Sequence, residues 1–221
     1  MTTLASFYAP RPEHPNHVYD FVDCLRLQRE TCERYGVRQI VITDWLGGFD
    51  GIETFHTDLP HSLMPAILAG QLALLQSGIH DDLILTGADC LLGRDPSELF
   101  DHSDFDLAIT THPFADCILN TGMMAVAAGS ADLVAAIWRN ALGDCGDAWG
   151  DDQLALARYI EPTLEHGSRT LGSLYVRQLP VPGYNEAPDD AEHKLNPVPL
   201  IVHFRGPRKR WMRAWAARCL Q

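Results

Sequence analysis

The segment LILTGADCLLGRDPSELF, residues 83–100, decides how the chain is read. Leu83, Ile84 and Leu85 are apolar at consecutive positions, so both faces of the strand they form must be covered. A strand of that kind belongs in the middle of a parallel sheet. It runs into Gly87-Ala88-Asp89, and a second turn follows at residues 93–96. An acid at the carboxyl end of a central strand stands where open α/β sheets bind ligands. The same acid could equally serve to cap the next turn.

Upstream, residues 66–77 read as a helix with Gly78 beyond its end. RQIVITD (38–44) reads as a buried strand ending in an acid, and LASFYA (4–9) as a short strand before a loop enforced by Pro10, Pro12 and Pro15. Between them, Val18, Phe21, Val22, Leu25, Cys32 and Tyr35 recur at helical spacing over residues 17–35, stopped by Gly36. Residues 45–65 are rich in Gly and Pro and read as a long irregular connection. Downstream, 104–111 and 117–128 read as strands. Ser130 is placed to cap a helix carrying Leu133, Val134, Ile137 and Trp138, closed by Gly143. Asp151 or Asp152 caps a helix over 153–160, stopped by Pro162. Residues 173–181 form a strand or two, 183–199 a solvated loop, 200–204 a last strand and 208–220 a last helix. This succession predicts an α/β architecture, a mostly parallel sheet with an antiparallel insertion and helices on its flanks. The length fits one domain spanning residues 1–221.

A formal charge of −12 argues against general nucleic-acid binding, which needs a basic face. The six cysteines form no CxxC pair and lie in apolar segments, which points to reduced thiols used as small hydrophobes; a zinc site is the weaker alternative. No basic start is followed by a long apolar run, and no stretch is long enough to span a membrane. A cytoplasmic location is expected.

Three further stretches interrupt their surroundings with polar chemistry. In ILNTGMMAVAAGS (118–130), Asn120 and Gly122 break an apolar strand, which marks either a bulge or a close approach of backbone or ligand. WGDDQLAL (149–156) sets acids and an amide at a helix start, the pattern of a plain cap or of a site. Last comes IVHFRGPRKRW (201–211). Six of the seventeen Lys and Arg residues fall between Arg205 and Arg218, in a chain that is otherwise acidic. Cations at a helix start oppose the helix dipole, and a bound phosphate would relieve that cost.

Taken in order, these segments resemble the GT-A-fold glycosyltransferases, in particular the glycogenin and bacterial lipopolysaccharide galactosyltransferase group. The RDPSELF turn, Asn120-Thr121-Gly122, Asp152-Gln153 and the late series His203, Gly206, Lys209, Trp211 carry the likeness, over roughly residues 60–211. The resemblance implies transfer of a sugar from a nucleotide-diphosphate sugar, UDP-linked by family default and with retention of configuration. Asp89 and His203 would bind Mn²⁺ or Mg²⁺. Lys209 and the Gly206 backbone would grip the diphosphate, with Ser6, Tyr8 and Ala88 beside the nucleotide. Asn120, Asp152 and Gln153 would face the donor sugar or the acceptor, whether carbohydrate, lipid-linked or protein. One departure stands out: Gly87 replaces the first acid of the family's Asp-x-Asp.

That departure motivates a second hypothesis, a catalytically weak or inactive nucleotide-sugar or carbohydrate-binding protein of the same fold. A nucleotidyltransferase would carry a Gly-rich phosphate loop after the first strand, whereas FYAPRPEHP (7–15) has prolines and no glycine. The final stretch has another use as well. Arg208, Arg210 and Arg213 interleave with Trp211 and Trp215, a pattern suited to peripheral contact with the inner face of a membrane or, alternatively, to a terminal helix packing its tryptophans on the core.

Overall fold

The computed structural model describes residues 1–11, 20–101, 104–112, 117, 119–166 and 174–219, with backbone only for 162–166 and 219. In chain order it forms β1 (Thr2–Phe7), α1 (Phe21–Arg34), β2 (Arg38–Thr43), β3 (Glu53–His56), α2 (Leu63–Leu75), β4 (Asp82–Gly87) and β5 (Cys90–Leu92). There follow α3 (Ser97–Phe100), β6 (Leu107–Thr111), β7 (Leu119–Val126), α4 (Ala131–Asp144), α5 (Asp151–His166), β8 (Val176–Pro180), a kinked turn α6 (Val181–Tyr184), β9 (Asn185–Glu186) and β10 (Ile201–His203). A 3₁₀ helix (Gly206–Trp211) leads into α7 (Met212–Cys219).

Seven strands form one sheet in the order β3-β2-β1-β4-β7-β6-β8. All are parallel except β7, which runs against both of its neighbours. The mixed, mostly parallel sheet expected from the sequence is therefore present, with β7 as its antiparallel member. Leu83, Ile84 and Leu85 are completely buried at its centre. Strand alternation divides the core. Ala5, Phe7, Leu83, Leu85, Met124 and Val126 pack with residues of α2, α4 and α5, among them Leu68, Leu75, Trp138 and Leu156. Leu4, Ile84, Met123 and Ala125 face the other side, against Cys32 of α1, Cys90, Leu92 and Ile201. There a small second sheet, β5-β10-β9, lies over the large one.

Several local expectations are corrected. Residues 45–65 contain β3, an edge strand parallel to β2 whose side chains are all at least partly solvated, and the start of α2; without a fully buried face β3 leaves little hydrophobic pattern to read. Ser130 does not cap α4 with its side chain, because its hydroxyl donates to Asp106 Oδ1 at 2.8 Å; α4 also runs past Gly143. Helix α5 continues through Pro162 to His166, the proline costing one backbone hydrogen bond without ending the helix. The stretch taken as loop at 183–199 includes β9, whose Asn185 is fully buried. The last helix is two elements rather than one. At the start of α1, residues 17–19 lie outside the described set, and Asp20 Oδ1 accepts from the Asp23 amide at 2.9 Å as its cap.

Cys24, Cys32, Cys90, Cys117 and Cys145 are free thiols, as expected; the Cys219 side chain is outside the described set. Trp215 is buried against Phe204, ring centres 5.9 Å apart, so α7 packs this tryptophan inward. Among the described residues no helix is long and apolar enough to cross a membrane.

Candidate active site

Asp89 sits in the two-residue turn between β4 and β5, at the carboxyl end of the central strand. A buried amide holds this turn. Gln28 of α1 donates from Nε2 to the Cys90 carbonyl at 2.9 Å and to the Gly87 carbonyl at 3.3 Å. Its Oε1 in turn accepts from Ser6 Oγ and Gln39 Nε2. Strand pairing then brings the far end of the chain to the acid. β10 runs antiparallel to β5 with His203 opposite Cys90, and the Phe204 amide donates to the Asp89 carbonyl at 2.9 Å.

Both Asp89 oxygens are engaged. His203 Nε2 lies 3.4 Å from Oδ1, and Lys209 Nζ lies 2.6 Å from Oδ2. The chain reaches Lys209 by turning at Gly206, whose φ of +56° favours glycine, into the 3₁₀ helix. Lys209 is buried, with its ammonium 5.3 Å from the centre of the Phe21 ring. Burial by itself would raise the Asp89 pKa; the His203 and Lys209 contacts overcome it and hold the carboxyl far below the ordinary range.

The opposite wall comes from β7 and α5. Between Ile109/Thr110 the β6–β7 register slips, so that Ile109 faces Met124 while Thr110 faces Asn120. The bulge leaves Thr121 and Gly122, next to the paired Asn120, outside the regular ladder. Both meanings of an interrupted strand therefore apply: a Cβ on Gly122 would stand 2.6 Å from Asn185 Nδ2, 2.7 Å from His203 Nδ1 and 2.9 Å from Asn120 Oδ1. Asn120 Oδ1 accepts from the Gly122 amide and from Asn185 Nδ2, each at 2.9 Å. At the start of α5, Gln153 Oε1 accepts from the Thr121 amide at 3.4 Å. Asp152 is buried beside it; desolvation raises its pKa against the lowering effect of the backbone amides and the Thr121 hydroxyl.

A cavity of about 970 Å³ lies between these walls. Tyr8, Ala88, Asp89, Asn120, Asp152, Gln153, His203, Gly206 and Lys209, all picked from sequence, line it. Ser6 does not: it is fully buried below the cavity with its hydroxyl on Gln28. Tyr8 packs edge-on against Phe49 and Trp45, at 5.4 and 5.9 Å between ring centres.

No family model and no curated protein matches the sequence. Solved structures do. The glycosyltransferase involved in glycosylation of the major capsid of PBCV-1 superposes with a TM-score of 0.63 at 12% identity, over 97% of this chain and 98% of that one. The chain has the GT-A glycosyltransferase fold. GlyE of Streptococcus pneumoniae TIGR4 matches with a TM-score of 0.61 at 12% identity, over 99% of this GT-A chain and 61% of its own length. The galactosyltransferase LgtC, in complex with donor and acceptor sugar analogs, matches at 0.54 and 15% identity, over 99% and 94%.

Sequence reading missed four residues in or beside this cavity. Gln28 left a signal, since it falls on the apolar face of α1 with Cys24, Leu25 and Cys32. Arg205 lay inside the quoted basic stretch but outside the motif. Asn185 sits among prolines with no periodicity around it. Trp149 lines the cavity while 72% exposed, and only its place before the acid pair hinted at that.

Ligand-type atoms of Asp89, Cys90 and His203 lie within 4.8 Å of one another, close enough for one metal ion. The Mn²⁺ or Mg²⁺ expected from the resemblance would take Asp89 and His203 there. The surroundings fit an ion poorly. Gly87 supplies no second carboxylate, and Lys209 already holds Asp89. Burial pushes the Cys90 thiol up, away from the thiolate that binds metal. A metal-bound imidazole normally donates its second N–H to an acceptor, yet His203 Nδ1 faces a donor, Arg205 Nε, at 3.4 Å.

Proposed function

We propose that the chain is a glycosyltransferase that moves a sugar from a nucleoside-diphosphate sugar to an acceptor hydroxyl, with retention of configuration. One observation carries it: Asp89, His203 and Lys209, far apart in sequence, meet on the wall of a single cavity at the carboxyl end of a central strand. In the reaction the bond from the anomeric carbon to the phosphate oxygen breaks, its electron pair leaving with the diphosphate, and a bond to the acceptor oxygen forms. Lys209 and the Gly206 amide are assigned to the leaving diphosphate, where preorganised donors are worth most. Asn120 and Gln153 are assigned to the sugars, and Asp152 to the acceptor's hydroxyl proton. Its raised pKa makes it a better base than an ordinary carboxylate. Tyr8 and Ala88 are assigned to the nucleoside, taken as uridine. The acceptor is a carbohydrate, lipid-linked or protein hydroxyl. Any membrane contact would rest on Trp211 and the arginines around it, since Trp215 is packed inside.

Gly87 favours one rival, a protein that holds a nucleotide sugar without turning it over. A melting screen of nucleoside diphosphates and their sugars, followed by an assay for donor hydrolysis and transfer, separates the two. A true ligand at about a hundredfold its Kd stabilises by about 2.7 kcal/mol, a rise of roughly 5–10 °C for a chain of this size. Transfer that disappears in Asp89→Ala and His203→Ala supports the enzyme. Stabilisation without turnover supports the rival, and a flat screen removes both.

A further inference from the structure

Arg205 has no place in the motif that links this chain to other transferases, yet it lines the same cavity as Lys209. Its guanidinium is partly buried, and among the described residues it pairs with no carboxylate. No hydrogen bond or ion pair joins it to the nearby Asp89, whose oxygens are met by His203 and Lys209. The next cation along, Arg208, has Asp189 at 3.9 Å. In a chain with twelve surplus negative charges, a partly desolvated guanidinium at a cavity wall, bonded to no carboxylate among the described residues, gains most from an anion that comes to it. A guanidinium fork matches phosphate oxygens in two places at once.

His203 points the same way. Its Nδ1 accepts from Arg205 Nε at 3.4 Å, and its Nε2 faces Asp89 Oδ1 at 3.4 Å. The imidazole thus links Asp89 to Arg205, with both ring nitrogens directed at protein groups rather than at an ion.

We infer that Arg205 and Lys209 form a metal-independent clamp for the diphosphate, Arg205 carrying the charge that a divalent ion would carry beside a complete Asp-x-Asp. The inference rests on the reading of the cavity as a nucleoside-diphosphate site. Lys209, held on Asp89, and Arg205, held on His203, both face the same cavity, four residues apart on either side of the Gly206 turn. Gly87 then stops being a defect, because a second carboxylate at this turn would repel the same phosphates that the two cations gather.

Isothermal titration of the full chain with UDP, GDP, ADP and CDP, in EDTA and again in Mn²⁺, tests this. At least one nucleotide should bind in EDTA with a Kd within about threefold of its value in Mn²⁺. Arg205→Ala should weaken that EDTA affinity by about tenfold or more, and Arg205→Lys should recover only part of it for want of the fork. The melting temperature of Arg205→Ala should stay equal or rise, since an uncompensated cation has been removed, which separates lost binding from lost folding. Binding that appears only with Mn²⁺, or an Arg205→Ala variant that binds as the parent does, overturns the clamp and leaves the transferase reading standing. Silence of every nucleotide in both buffers overturns the nucleotide site itself.

Discussion

Asp152, the proposed base, would trade stability for chemistry. Burial lifts its pKa, so the folded chain holds this proton more tightly than the unfolded chain does. Folding stability falls as pH rises from the unfolded value of about 3.9 through the raised folded value, and the cost is fully present once the buried carboxyl is ionised. Asp152→Asn removes that cost. Its melting temperature at pH 7 should exceed the parent's by about 3 °C, roughly one kcal/mol for this chain length. The gap should close as the pH is lowered toward about 4. Sugar transfer should drop by about a hundredfold in the same variant, the loss of a general base. A variant less stable than the parent at pH 7, or equally active, would assign the residue elsewhere. Asp89 is the opposite case: its contacts with His203 and Lys209 hold it ionised, and it contributes stability that persists well into acid.

At the scale of elements, the bulge in β7 does the most to shape the cavity. Thr110 of β6, fully buried, spans it, its hydroxyl lying 2.8 Å from the Asn120 carbonyl and 3.2 Å from that of Met123. Thr110→Val keeps the shape and leaves these carbonyls without their donor, a cost of about 1–3 kcal/mol. We expect a melting temperature lower by about 5 °C and weaker nucleotide-sugar binding, with Thr110→Ser recovering most of both; a valine variant as stable as the parent would show that the bulge needs no such strut. The strands and helices with a strong apolar pattern were legible in the sequence, β4 above all. What escaped reading were elements held by partners rather than by pattern. β3 is a half-solvated edge, β9 exists because β10 pairs with it, and the Ser130 hydroxyl chose Asp106 over its own helix. The site divides the same way. Residues with a recognisable spacing, from Asp89 to Lys209, fell on the cavity wall. Gln28, Asn185 and Arg205 act through neighbours that only the folded chain supplies. Ser6, chosen for its strand, turned out to support Gln28 instead.

For the molecule as a whole, the last segment is a structural member of the site. Phe204, Met212, Trp215 and Ala216 pack with Cys24 and Leu27 of α1, and Arg213 pairs with Asp23 there. The same helix α1 carries Gln28, so one element braces the Asp89 turn on one side and the His203–Lys209 segment on the other. Trp215→Ala should therefore cost about 3–5 kcal/mol and lower the melting temperature by roughly 10 °C. At a temperature where the variant is still folded, nucleotide affinity should also fall; unchanged affinity would mean that α7 only covers apolar surface. The joining of residue 89 to residues 203–209 also sets an order of assembly during synthesis. The ribosome delivers the acid long before its cations, so for most of translation that carboxylate can only stay hydrated. The parallel strands are free to pair meanwhile, but the cavity is completed last, and a nascent chain stalled short of residue 203 lacks the wall that His203, Gly206 and Lys209 provide.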